Sequence, residues 1–233
     1  MEIQWLGHSA FKAVTDKAVV LIDPFLNGNP LFSGDFDSAI DGVTHVLLTH
    51  AHNDHFGDTV EILKRTGATL VATYEICMYV ASVYGEAKYV PMNIGGTASV
   101  GTIEATLVRA HHSSSYAAPD GRVIYGGEPG GFILRAGGRS LYHMGDTNAF
   151  SDMALIDELY SPEIGIVPIG DHFTMGAHEA ALAVNRWFRF KAVIPCHYRT
   201  FPLLAQSPEE FQKAVKSAEV WAPEPMASRK FSF

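Results

Sequence analysis

The sequence predicts an α+β fold in which two mixed β-sheets face each other between outer layers of helix, a four-layer αββα sandwich. Two observations carry that expectation. Short apolar or β-branched runs alternate with stretches of helical spacing, and this alternation occurs once in each half of the chain. No Ser/Pro-rich linker, charge block or low-complexity tract separates the halves, so residues 1–233 read as a single domain. With 47% hydrophobic and 18% charged residues, such a domain has enough apolar material to bury a substantial core.

In the first half, runs at 3–6, 18–22, 43–49, 68–73 and 103–110 are bounded by Gly, Asp, Asn or Pro and read as strands. Helical spacing appears at 58–65 and 75–84. In the second half, strands at 131–135, 140–144, 164–169 and 192–195 alternate with helices at about 151–160, 176–188 and 208–217. The segments richest in Gly, Pro and Ser, 27–34 and 113–131, read as long loops of the kind that line or cover a site.

Composition narrows the partners. A formal charge of -8 without any Lys/Arg run argues against nucleic acid, whose binding rests on phosphate neutralisation, and favours a small-molecule substrate. The amino terminus lacks a basic segment followed by an apolar stretch, and no apolar run approaches the ~20 residues that span a bilayer, so the expectation is a cytoplasmic protein with no integral membrane segment. Association into a homo-oligomer is compatible with this composition. Cys77 and Cys196 are the only cysteines and read as free thiols.

Eleven histidines are the compositional oddity. The strand pattern at 43–49 is followed at once by His50-Ala51-His52-Asn53-Asp54-His55. Imidazole and carboxylate together suit zinc, manganese or iron, and this crowding exceeds what one tetrahedral ion can use while leaving a position open for water. A two-metal site is implied. In an extended segment His50 and His52 point the same way and can share one ion, while a turn at Asn53 swings Asp54 and His55 toward a second. Asp23, in Ile22-Asp23-Pro24, reads either as a carboxylate orienting a ligand histidine or as a turn residue.

Thr49-His-Ala-His-Asn-Asp-His55 resembles the metal-binding signature of the metallo-β-lactamase superfamily. That resemblance implies the corresponding sandwich fold and a further His for the first metal, a bridging Asp and a final His for the second. Ala110-His111-His112-Ser113, Met144-Gly145-Asp146-Thr147 and Cys196-His197-Tyr198 stand in that order, each after an expected strand. The resemblance therefore assigns His50, His52 and His112 to one metal, Asp54, His55 and His197 to the other, and Asp146 to the bridge, with His111 as the neighbouring alternative to His112. Trp5-Leu-Gly-His8-Ser-Ala-Phe11, Gly145-Asp-Thr147 and Pro168-Ile-Gly-Asp171-His-Phe-Thr-Met175 resemble the branch of metal-dependent hydrolases similar to L-ascorbate-6-phosphate lactonase.

The resemblance implies two divalent ions per chain, zinc or manganese, and a metal-activated hydroxide cleaving an ester, lactone or phosphodiester bond of a small substrate. Asp54 would be both ligand and catalytic group, orienting the nucleophile or carrying a proton. His8, His172 and Tyr198 are the candidate substrate-binding residues, although His8 in its turn is equally explained by a bond to backbone. His143 reads as packed or supporting a ligand, His45 as structural, and His178 as part of a helix. Two competing readings are an iron-dependent oxidoreductase of the same superfamily and a non-catalytic metal-binding protein. The complete second-site set, Asp54, His55 and His197, favours the hydrolase.

Overall fold

The computed structural model describes residues 1–231. Strands β1 (Glu2–Gly7), β2 (Ala10–Val14), β3 (Val19–Ile22), β4 (His45–Leu47), β5 (Thr69–Thr73) and β6 (Lys88–Met92) lie side by side in chain order, and β16 (Ser228–Lys230) returns to pair with β1. The second sheet runs β15 (Glu219–Val220), β14 (Ala192–Cys196), β13 (Ile164–Pro168), β12 (Arg139–His143), β11 (Gly130–Ala136), β8 (Ile103–Arg109), β7 (Thr97–Val100). Both sheets are mixed: β3 to β6 and β12 to β15 pair in parallel, the remaining pairs antiparallel.

Alternation along the strands explains how the layers stack. Leu21, Val46 and Leu70 turn to one face of the first sheet, where they cluster with Ile62 and Leu63 of α3 (Thr59–Thr66) and Ile76 and Val80 of α4 (Tyr74–Val83). Their neighbours Ile22, Leu47 and Val71 turn the other way and join Trp5 and Phe11 against Leu107, Phe132 and Leu134 of the second sheet. That larger cluster continues to Ile156 of α5 (Met153–Tyr160) and Val184 of α6 (Ala177–Trp187). Strands β13 and β14 are buried along their whole length, which is why they read as unbroken apolar runs rather than alternating ones. No helix among the described residues is long and apolar enough to cross a membrane.

The structure adds elements that periodicity did not expose. Residues 113–131, expected as loop, contain a hairpin of β9 (Ser115–Ala117) and β10 (Val123–Tyr125). The edge strands β6, β7, β15 and β16 are short and partly exposed, so they lack a clean alternating pattern. Strand β2 and the short α1 (Phe36–Ile40) were likewise not expected, and the helix expected at 208–217 contracts to α7 (Glu209–Ala214).

The fold delivers its parallel strands with their carboxyl ends at one rim, and a short helix, α2 (Asn53–Phe56), sits just beyond β4. Gly57 ends α2 with φ +42, and a Cβ there would lie 2.5 Å from the Pro24 carbonyl oxygen and 2.6 Å from Phe25 Cα. Gly67, which caps α3 with φ +67, has nothing within 4 Å of the same position. Gly57→Ala should therefore lower the unfolding free energy by about 2–4 kcal/mol and Gly67→Ala by only about 1–2 kcal/mol. Urea denaturation of both variants checks this, and equal losses would show that the Pro24–Phe25 backbone simply moves aside.

Candidate metal centre

Strand β3 ends at Ile22, and the next residue, Asp23, is wholly buried. Its carboxylate accepts hydrogen bonds from Thr49 N at 2.8 Å, from Thr49 Oγ1 at 2.7 Å and from His55 Nδ1 at 2.8 Å. One side chain thus fastens the end of β3 to the segment leaving β4. Because the Thr49 hydroxyl spends its only proton on Asp23, it must accept from His50 Nδ1, which lies 3.0 Å away. His50 Nε2 and His55 Nε2 are thereby turned toward the interior of the rim.

The second sheet brings the opposing groups. Asp146 follows β12 and is 2% exposed. Its Oδ2 lies 3.0 Å from His197 Nε2, 3.3 Å from His55 Nε2, 3.6 Å from His112 Nε2 and 4.0 Å from His50 Nε2. Around it stand two donor groups. The ligand atoms of His50, His52 and His112 lie within 4.8 Å of one another, as do those of His8, Asp54, His55 and His197. The donors are imidazole and carboxylate throughout, and His55 Nε2 and Asp146 Oδ1 are buried without a hydrogen-bond partner. Such a set fits divalent cations.

Electrostatics follow the same geometry. Burial disfavours charge on Asp146 and Asp54, yet His197 and His55 outweigh it for Asp146, and His8 and His55 for Asp54, so both carboxyls sit well below the usual range. Burial likewise opposes a charge on His55, but Asp146 and Asp23 on its two sides overcome it and hold this imidazole well above its ordinary value. His50, buried and next to His55, is pushed the opposite way. The centre opens where Asp54 is 30% and His112 15% exposed, while His8, His50 and His55 are closed off entirely.

Several backbone positions at this rim are strained. His8, Asp23 and His197 adopt φ of 52, 47 and 56 degrees, a left-handed conformation that non-glycine residues rarely take. Strain of this kind persists only where surrounding contacts over-determine it.

Of the expected residues, His50, His52, Asp54, His55, His112, Asp146 and His197 converge on this centre, and His8 joins them inside it. His112, rather than His111, turns inward; His111 is exposed and stacks on Phe150 at 4.4 Å. Tyr198 does not take the substrate-facing position expected for it. It is 1% exposed and stacks on Trp5 at 5.5 Å, on the side of the backbone away from the donor groups. His172 is exposed on the loop after β13, edge-on to Phe173, outside the donor groups. His143 joins Ser9 O and Gly145 N, fixing the approach to Asp146, and His178 is exposed on α6.

A family model described as a beta-lactamase superfamily domain matches residues 19–198, which include every residue of this centre except His8. The chain belongs to the metallo-β-lactamase superfamily. Within the superfamily it is 52% identical over 221 residues to a UPF0173 metal-dependent hydrolase of Methylocella silvestris, covering 94% of each chain. It is 50% identical over 222 residues to another from Mesorhizobium japonicum, again covering 94% of each. Among solved structures it is similar to Igni18, a metallo hydrolase from Ignicoccus hospitalis, with a TM-score of 0.85, 36% identity and coverage of 100% of this chain and 98% of that one. The chain is thus a member of the metal-dependent hydrolases of the metallo-β-lactamase superfamily.

Asp23 is the support on which this superfamily member's rim depends. Asp23→Ala leaves the buried Thr49 N and His55 Nδ1 without their acceptor, and should cost about 3–5 kcal/mol of stability. Guanidinium denaturation of the variant checks this; a loss below 1 kcal/mol would mean that water replaces the carboxylate.

Proposed function

We propose that this chain is a single-domain, two-metal hydrolase acting in the cytoplasm on an ester, lactone or phosphodiester bond of a small molecule. In this reading His50, His52 and His112 would hold one ion, Asp54, His55 and His197 would hold the other, and Asp146 would be shared between them. The observation that carries it is the placing of Asp146 Oδ2 within 4.0 Å of imidazole nitrogens from both donor groups, since a single carboxylate can hold two cations together. Zinc or manganese is the expected metal, given a nitrogen and oxygen donor set with no thiolate.

Divalent ions held by these residues would supply Lewis acidity, making hydroxide available near neutral pH and polarising the bond under attack. The chain's own part is to position. Asp54 is the partly exposed carboxylate at the mouth and is held ionised by His8 and His55, so it would orient the attacking water as a hydrogen-bond acceptor. Phe25 and Phe201, whose rings lie 6.3 Å apart and 6.0 and 5.5 Å from the ring of His8, stand together beside that imidazole, and this aromatic pair would seat an apolar portion of the substrate. The motifs around His8, Asp146 and Asp171 support a place in the branch similar to the sugar-phosphate lactonase.

Elemental analysis of protein purified without chelators tests the reading. The expected result is close to two equivalents of zinc or manganese per chain. One equivalent of iron would redirect the search to oxygen chemistry, and no metal after reconstitution would overturn the assignment. With a substrate found by ester, lactone and phosphodiester screening, Asp54→Ala should reduce turnover by about 10²–10⁴-fold and lower occupancy of the second site; full activity would remove Asp54 from the mechanism.

A further inference from the structure

His8 lies outside the ligand set of the two-metal reading, yet its surroundings prepare it in the way they prepare the ligands. It follows Gly7 in the turn between β1 and β2, and both residues have positive φ, 99 and 52 degrees. The His8 carbonyl accepts from Trp5 Nε1 at 2.9 Å and from His197 N at 3.1 Å, so the residue is fastened both to its own sheet and to the facing one. Its side chain is wholly buried.

The hydrogen bonds settle which ring nitrogen is bare. His8 Nδ1 lies 2.9 Å from Thr200 Oγ1, and the Thr200 hydroxyl donates its single proton to the Tyr198 carbonyl at 3.2 Å. Thr200 must then accept from His8 Nδ1–H, which leaves Nε2 with a lone pair. That lone pair faces Asp54 Oδ2 at 3.0 Å, and a carboxylate oxygen has no proton to offer. Held this close, the two acceptors require a positive centre between or beside them: a proton that Nε2 donates to Asp54 when no metal is bound, or a metal cation in its place. Thr49 does the same for His50: its proton goes to Asp23, and it accepts from His50 Nδ1. The matching arrangement around His8 requires a threonine from the far end of the chain, 192 positions away.

We propose that His8 Nε2 is a direct ligand of the cation in the second pocket, alongside Asp54, His55, His197 and the shared Asp146. This rests on the two-metal reading and deepens it, because it makes the pockets unequal. One offers imidazoles from His50, His52 and His112 with the bridging carboxylate. The other offers imidazoles from His8, His55 and His197 with the carboxylates of Asp54 and Asp146. The second pocket has more donors and more negative charge than a tetrahedral ion uses, so it retains its ion more tightly and accepts a metal of higher coordination number.

The test is cobalt(II) titration of metal-free protein, following the visible absorption bands and competing with a chelator. His8→Gly is the informative variant because glycine accepts the left-handed backbone. The wild type should bind two cobalt ions in separable steps. His8→Gly should keep the weaker site unchanged and lose at least about 100-fold in affinity at the tighter one, with added imidazole restoring its absorption. Thr200→Val, which keeps the imidazole but removes its acceptor, should weaken the same site by about 10-fold. Two ions bound by His8→Gly with wild-type affinities and bands would overturn the proposal alone. A wild type that takes up fewer than two ions would overturn the two-metal reading and this assignment with it.

Discussion

The centre is organised around a buried anion. Asp146 stands at the interface of the two sheets with almost no access to solvent, and a carboxylate in that position is tolerable only if positive or proton-donating groups surround it. The imidazoles that do so, from His50, His55, His112 and His197, come from the segments following β4, β8 and β14, so the geometry at one oxygen depends on the relative placement of both sheets. Small displacements would be felt at once, because interaction between charges grows steeply as separation falls in a medium without water. The close packing between the sheets, with Trp5, Phe11, Leu107 and Phe132 fully buried, supplies the needed rigidity.

Placing the imidazoles is only half of the requirement; each must also present the correct nitrogen. A neutral imidazole has one donor and one acceptor nitrogen, and the partner of the outward nitrogen decides which one faces the centre. Here Thr49, Asp23 and Thr200 take the outward nitrogens of His50, His55 and His8. Left-handed backbone at His8, Asp23 and His197 adds about 1–3 kcal/mol of strain at each, which the surrounding core must offset. Three of the seven described non-glycine residues with positive φ thus lie at this centre, the others being Ser161, Asp171, Arg199 and Met226.

This division explains what could be read from the sequence. The segment from His50 to His55 was legible because its donors are crowded into consecutive positions where no packing need accounts for them. The single residues His112, Asp146 and His197 were legible only as strand-end positions matched to a family pattern, since nothing local distinguishes them from capping residues. His8 was ambiguous for a physical reason: its role depends on Thr200, and no local pattern relates two residues so far apart. Tyr198 was read as substrate-facing from its adjacency to His197, but adjacency in sequence does not fix where a side chain goes after a left-handed residue, and here Trp5 receives the ring. The β9–β10 hairpin was hidden because its anchor is not a strand pattern at all. Asn53 pairs with Ala117 through both its amide nitrogen and its carbonyl oxygen, imitating a neighbouring peptide group.

The same layout bears on whether bound ions would hold the fold together or only serve chemistry. Ligands from the first sheet and from the second face each other, so ions between them would link the two sheets and contribute to their docking. Small metal domains rely on that contribution outright, at about 10–16 kcal/mol for a zinc-finger peptide. Here, however, the inter-sheet cluster buries Trp5, Phe11, Ile22, Leu47, Val71, Leu107, Phe132 and Leu134, and each such side chain contributes about 1.5–3 kcal/mol. That apolar contribution is of the same order as the metal term, before the conformational entropy that opposes both, so the contact between the sheets is built in large part from the chain's own side chains.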